Sequence, residues 1–321
     1  MNAFYRLIGK AYLDYRIRKS SDKEVYYIRI DNKIAGFFAI LREALDYCCY
    51  AEEHGFLPYI VYSKKTLYSE EGLFLGTNNA FEYYYEQPML LMSNHLFNGL
   101  NLVKNQSEHL IKIEMKYNLK QFSYIVEKSY IERMAAIYQK YMHLNSMTDK
   151  KIGTNIKKVL CGKRTLGVHI RGTDFYKEFN NHPVPVTVDE YIQAINEDVE
   201  RNQYEQVFVA TDDMRCLKEL KQKINVPLVY YRNTMRACGK KSVAYERSER
   251  KNNNYLLGYE VLKDAYTLSA CDGFIGCLSQ VDIFVQIIKR SKEQEFVSLK
   301  IIDKGVFTND RQCWEPSKQE G

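Results

Sequence analysis

The chain has 321 residues, 45% of them hydrophobic, which is enough apolar surface for a sizeable core; at roughly 100–200 residues per domain it suggests two domains and excludes a disordered polymer as first reading. Its 46 basic and 40 acidic residues leave a net charge of +6, scattered in small clusters such as Lys150-Lys151 and Lys157-Lys158, a mild bias toward anionic partners that falls short of a nucleic-acid-binding surface. The eight cysteines form no CxxC pair and no CxxC…HxxxH pattern, which speaks against a zinc site or a redox motif and for reduced thiols in a cytoplasmic protein.

Residues 1–23 are basic and aromatic but lack an apolar run of about seven residues, so they fail as a secretion signal and as a membrane span. They read as a solvated helix, with peripheral contact to the inner face of a membrane left open. Residues 25–30 alternate as a strand, Asp31-Asn32 makes a turn, residues 36–50 carry apolar side chains at helical spacing, and residues 58–62 form a short strand. That is a β-α-β beginning. The aromatic run 81–88 ends at Pro88, and in a chain with 27 tyrosines it reads as packing ahead of a base-stacking platform. A long helix fits residues 122–144. The polar stretch 145–154 shows no clear period and is the expected domain boundary, dividing an N-terminal α/β domain, residues 1–150, from a C-terminal one, residues 151–321.

Beyond it the pattern becomes regular. Strands are expected at 165–171, 206–211, 227–231, 273–277 and 296–302, and helices at about 187–200, 214–224, 256–271 and 279–289, the first opened by the capping box Thr187-Val-Asp-Glu190. Strands alternating with helices imply a doubly wound parallel sheet, whose ligands bind at the carboxyl ends of the strands. Residues 232–255 hold four arginines and three lysines with no hydrophobic period, which suits a basic lid or a disordered loop.

The polar residues that could carry chemistry fall at those strand ends. In LGVHIRGTDFYK, residues 166–177, His169 and Arg171 are two apart and share a strand face, and Gly172 lets the backbone turn. Arg171 offers a planar fork for phosphate oxygens, or else makes an ion pair with Asp174 or Asp212. Asp212 and Asp213 close the second strand, where one of them orients the arginine or caps the next helix. Ser279 stands where it would cap the last helix, and that helix N-terminus could also receive a phosphate. Asp264 lies beside the apolar face of its helix, where a carboxylate needs donors such as the N–H groups of guanine, unless it faces solvent. The sequence has neither GxGxxG nor GxxxxGK[ST], and the TDDM stretch does not have the flanks of a metal-binding DxD.

Four motifs taken together, GVHIRGTD, the HP at 182–183 followed by DEY at 189–191, VFVATDD, and LGYEVLKDAYTLSACDGFIGCLSQV at 257–281, resemble the α1,6-fucosyltransferases within the GDP-fucose-using superfamily. The resemblance covers about residues 160–290. It implies a GT-B-like architecture of two Rossmann-type domains, the C-terminal one binding GDP-fucose and the N-terminal one on the acceptor side. It further implies inverting transfer of fucose to a glycan hydroxyl with no metal and no cofactor beyond the donor, in bacterial surface glycan or polysaccharide synthesis. Arg171 matches the arginine that holds the β-phosphate, His169 and Asp264 match guanine contacts, Ser279 matches a β-phosphate contact, and Glu178, four residues before His182-Pro183, matches the candidate base. Where the family has a lysine this chain has Phe175, so that charge comes either from Lys177 or from the basic segment 232–255. A transferase for another GDP-sugar, or a nucleotide-binding protein without catalysis, are the alternatives.

Overall fold

The computed structural model describes residues 24–88, 102–119, 123–172, 178–238 and 248–311. They divide into two compact units, the first comprising residues up to Asn118 together with Glu132–Asp149, the second Leu119–Ile131 together with Lys150 onward.

The first unit begins as the alternation predicts. Strand β1 (Val25–Ile30) leads through helix α1 (Phe37–Glu53) to β2 (Leu57–Tyr62), which pairs parallel to β1. Helix α1 is buried along nearly its whole length, its first turn packing Phe37 edge-on against Tyr68 and Tyr84. A short third strand, β3 (Leu102–Lys104), pairs parallel on the other side of β1, and α2 (Ser107–Lys116) follows. The aromatic run is packing: Phe81, Tyr83, Tyr84 and Tyr85 are buried, and Phe81 stacks on Tyr85 at 5.2 Å.

Two expectations change in the middle of the chain. The long helix expected from 122 is α3 (Lys128–Tyr141), residues 123–127 are not helical, and Phe122 lies outside the described residues. The polar stretch 145–154, read as lacking a period, is the start of helix α4 (Ser146–Leu160), and the second unit resumes at Lys150, inside it. The Asn145 side chain accepts the Thr148 N–H at 2.9 Å, which caps the helix, and Thr148, Ile152, Ile156 and Leu160 recur every fourth residue. A threonine within that stripe and Gly153 beside it hid the period.

The second unit holds a five-stranded sheet, entirely parallel, in the order β6-β5-β4-β7-β8. Its elements are β4 (Thr165–Ile170), α5 (Val188–Asn202), β5 (Gln206–Thr211), α6 (Met214–Lys223), β6 (Leu228–Val229), α7 (Asn253–Ala270), β7 (Gly273–Cys277), α8 (Gln280–Ser291) and β8 (Ser298–Ile302). The chain runs outward from β4 to β6 and then returns across to β7. With right-handed crossovers this places α5 and α6 on one face and α7 and α8 on the other, and each pair packs together. The α/β class with parallel sheets thus stands as expected. Leu166, Val168 and Ile170 of β4 join Tyr191, Ile195, Leu217 and Leu220 in the core on the α5/α6 side. Strand period two then turns Gly167 and His169 toward α7 and α8, where a Cβ on Gly167 would lie 3.2 Å from Cys271.

Among the described residues no helix is long and apolar enough to cross a membrane. Of the seven cysteines described, all free, Cys48, Cys49, Cys216, Cys271 and Cys277 are buried while Cys161 and Cys238 are exposed.

Candidate functional site

At the carboxyl end of β4, His169 is 6% exposed and its Nδ1 lies 2.7 Å from Oδ1 of Asp282, which is 1% exposed. Asp282 is the third residue of α8. Its other oxygen, Oδ2, accepts the Cys277 N–H at 2.9 Å and the Ser279 hydroxyl at 2.9 Å, and the Ser279 Oγ accepts the Asp282 N–H at 3.1 Å. Ser279 therefore is the N-cap of α8, and its hydroxyl is committed to Asp282 on both sides of that cap. The carboxylate can lie this close to β7 because residue 276 is glycine; a Cβ there would sit 2.7 Å from the Asp282 Cγ. The first-turn amides of α8 and the helix dipole favour negative charge at this end, and Asp282 already supplies one.

Arg171 follows β4 and is less buried, with a quarter of its side chain exposed and its Nη1 3.8 Å from Asp212 Oδ2. Asp212 also accepts the Gly172 N–H at 2.9 Å. The two aspartates after β5 divide the duties expected of them: Asp212 faces the arginine, and Asp213 caps α6 by accepting the Arg215 N–H at 2.8 Å. Gly172 is needed for this turn, since a Cβ there would come within 2.6 Å of the Asp213 Cβ. Lys177, with the rest of 173–177, lies outside the described residues.

Glu178 is exposed and holds a left-handed φ of 51°. Its carbonyl accepts from Asn309 Nδ2 at 2.9 Å, and the segment after it is bonded to residues 305–311, with Asn180 N–H to Arg311 O at 2.7 Å and Val184 N–H to Gly305 O at 2.9 Å. Among the described residues no hydrogen bond or ion pair joins the Glu178 side chain to His169, Arg171, Asp264 or Ser279.

Asp264 lies inside rather than on a solvated face. It is 8% exposed on α7, and its Oδ1 has no hydrogen-bond partner among the described residues. Burial raises its carboxyl to about 6; Lys263, Arg236 and His169 pull the other way, and Glu260 adds to the rise. Lys263 reaches Thr234 Oγ1 at 3.2 Å over the Tyr231 ring, and burial lowers its ammonium below the usual lysine range. Arg236 gives Nε to the Thr211 carbonyl at 3.1 Å and Nη1 to the Tyr231 carbonyl at 2.9 Å, leaving its buried Nη2 without a partner. It thereby ties the end of β5 to the start of the basic segment, whose middle, residues 239–247, lies outside the described residues.

The structure thus gathers His169, Asp264, Ser279 and Asp282 at one place and Arg171 with Asp212 beside it. Sequence reasoning missed Asp282, Lys263 and Arg236. Only Asp282 had a local signal, the Ser279-x-x-Asp282 spacing of a helix start. Chemically the site offers buried acceptors, His169 and Asp264, with a guanidinium, Arg171, two residues along the chain from His169, groups suited to a ligand that pairs N–H donors with an anion.

No family model and no curated protein sequence matches the chain. Its fold is similar to solved structures at low identity: NodZ alpha-1,6-fucosyltransferase soaked with GDP-fucose, at a TM-score of 0.50 and 14% identity over 83% of this chain and 93% of that one. The NodZ fucosyltransferase from Bradyrhizobium gives 0.48 and 14% over 84% and 92%, and POFUT1 in complex with GDP-fucose 0.46 and 12% over 87% and 98%. The α/β, GT-B-like architecture is what this chain shares with the first of them.

Proposed function

We propose that this protein is an inverting, metal-independent glycosyltransferase that moves fucose from GDP-fucose to a glycan hydroxyl. The observation that carries the reading is the unpartnered Asp264 Oδ1, buried beside His169 at the carboxyl end of a parallel sheet. A buried carboxylate without donors is costly, and the N1–H and amino group of guanine supply two. Support for fucose as the sugar is the likeness to a NodZ structure soaked with GDP-fucose; the same residues would also hold another GDP-sugar.

In this reading His169 and Asp264 hold the base, and Arg171, oriented by Asp212, faces the β-phosphate with the first-turn N–H groups of α8, Ser279 holding that turn through its bonds to Asp282. The acceptor oxygen attacks the anomeric carbon, the bond from that carbon to the phosphate oxygen breaks, and charge grows on the departing GDP. A fixed guanidinium and backbone N–H groups lower that barrier most when the charge has developed. Glu178 takes the proton of the acceptor hydroxyl. We assign the donor to residues 151–321 and acceptor recognition to residues 1–150. The pathway implied by the family resemblance is surface glycan synthesis in a bacterial cytoplasm; residues 1–23, outside the described ones, read as a solvated helix with peripheral contact to the inner face of the membrane left open.

The test is a thermal melt with GDP, GDP-fucose and GDP-mannose in chelator, paired with measurement of GDP release. GDP-fucose will raise the melting temperature and release GDP slowly; Arg171→Ala will cut turnover by about a hundredfold or more, the usual cost of losing a transition-state donor. No stabilisation by any guanosine nucleotide would sink the reading, and stabilisation by GDP-mannose alone would change the sugar.

A further inference from the structure

The two oxygens of Asp282 have different duties. Oδ2 accepts the Cys277 N–H and the Ser279 hydroxyl, while Oδ1 meets His169 Nδ1 at 2.7 Å. A carboxylate has no proton to give, so the shared hydrogen sits on Nδ1 and, in a neutral imidazole, Nε2 is left with a bare lone pair. No hydrogen bond among the described residues engages Nε2, and the Asp264 carboxyl, with its unpartnered Oδ1, lies within electrostatic reach of the ring.

We propose that Asp282 is a positioning residue that locks His169 in the Nδ1–H tautomer, so that His169 Nε2 and Asp264 Oδ1 stand as two acceptors toward one ligand edge carrying adjacent N–H donors. Such an edge belongs to a 2-amino-6-oxopurine; adenine offers a donor next to an acceptor and is refused. The hydrogen on Nδ1 follows from the Asp282 contact, the bare Nε2 is what the spectrum below tests, and the consequence for the ligand rests on the nucleotide-sugar reading above.

Asp282→Asn separates this role from simple helix capping. The amide oxygen must stay toward Cys277 N–H and Ser279, since both are donors, which turns the NH2 toward His169 Nδ1. Nδ1 then has to accept, and the hydrogen moves to Nε2. Long-range 15N–1H NMR of histidine-labelled full-length protein at pH about 8, above the ordinary histidine range, reads the tautomer directly. Wild type will show Nδ1–H and the variant Nε2–H. GDP will bind the variant on the order of tenfold more weakly, and the GDP-fucose KM will rise by a similar factor with a smaller change in kcat.

A wild-type spectrum with Nε2–H or with both nitrogens protonated overturns the proposal without any variant, which covers the case in which Asp282→Asn does not fold. An unchanged tautomer in a folded variant also overturns it and leaves Asp282 as a cap. Wild type that shows Nδ1–H yet binds no GDP upholds the positioning of His169 and removes the nucleotide reading instead.

Discussion

Burial sets Asp264 of the second unit apart from an ordinary aspartate, as it sets apart Glu43 of the first, which is pushed up to about 7. The Asp264 carboxyl rises from an ordinary value of 3.8 to about 6, so between these values the folded state holds a proton that the unfolded chain has lost. Stability therefore falls as pH rises through that window, and above it the native state carries a penalty of roughly 2–3 kcal/mol. Asp264→Asn removes the titration. At pH 8 the variant will melt higher than wild type, by on the order of 5 °C for a unit of this size, and the gap will shrink toward pH 4; a gap that does not vary with pH would refute the assignment. The ionised form is also the one that accepts N–H donors, so GDP affinity will decline below pH about 6, as seen by titration calorimetry. The same substitution will abolish GDP binding even as it stabilises the fold, the trade expected of a residue kept for a ligand.

At the level of elements, the second unit is held by local signals at the starts of α5, α6 and α8, where Thr187, Asp213 and Ser279 cap the first turn. Thr187 accepts the Glu190 N–H at 3.3 Å, Glu190 Oε2 accepts the Thr187 N–H at 2.8 Å, and Lys304 reaches the same glutamate at 2.7 Å. Thr187→Ala will cost about 1 kcal/mol and lower the melting temperature by about 2–4 °C, with GDP affinity unchanged, because the cap lies on the α5/α6 face. Such signals explain what was legible from residues alone. The capping box, the short apolar runs of β4 and β5 and the apolar α7 and α8 all declare themselves locally. Strand β3 and helix α2 did not, the strand being only three residues long and the helix short with one buried residue, and α4 hid its stripe behind Thr148 and Gly153. The site divides the same way. His169, Arg171, Asp212 and Ser279 stand at strand ends and caps, which a sequence displays. The bond from Asp282 to His169 joins residues 113 apart, and the burial of Lys263 depends on Tyr231 and Thr234 arriving from another loop. No local pattern encodes either.

Across the whole molecule, the charged groups left with an unpartnered buried atom are unevenly placed. Among the described residues these are Arg236, Arg250 and Asp264, all in the second unit. Arg236 keeps bonds through Nε and Nη1 and Arg250 an ion pair to Glu260 at 2.7 Å, so the costliest of the three is Asp264 Oδ1, a buried carboxylate oxygen without a donor. Both units contain a parallel sheet, and either could in principle receive a ligand at its strand ends. The unpartnered Asp264 Oδ1 favours the second, and amide hydrogen exchange can test that without any mutation. With GDP at about 100 times its Kd, binding adds about 2.7 kcal/mol to the liganded state, and amides that exchange through opening of the site will slow by up to about a hundredfold. We expect that slowing at residues 169–172, 212–213 and 277–282, where the strands β4, β5 and β7 end and α8 begins, and at 258–266 within α7 around Asp264. Residues 25–62 will exchange as before. Protection appearing instead at the ends of β1 and β2, with 277–282 unchanged, would move the nucleotide to the first unit and leave the buried charges of the second as structural.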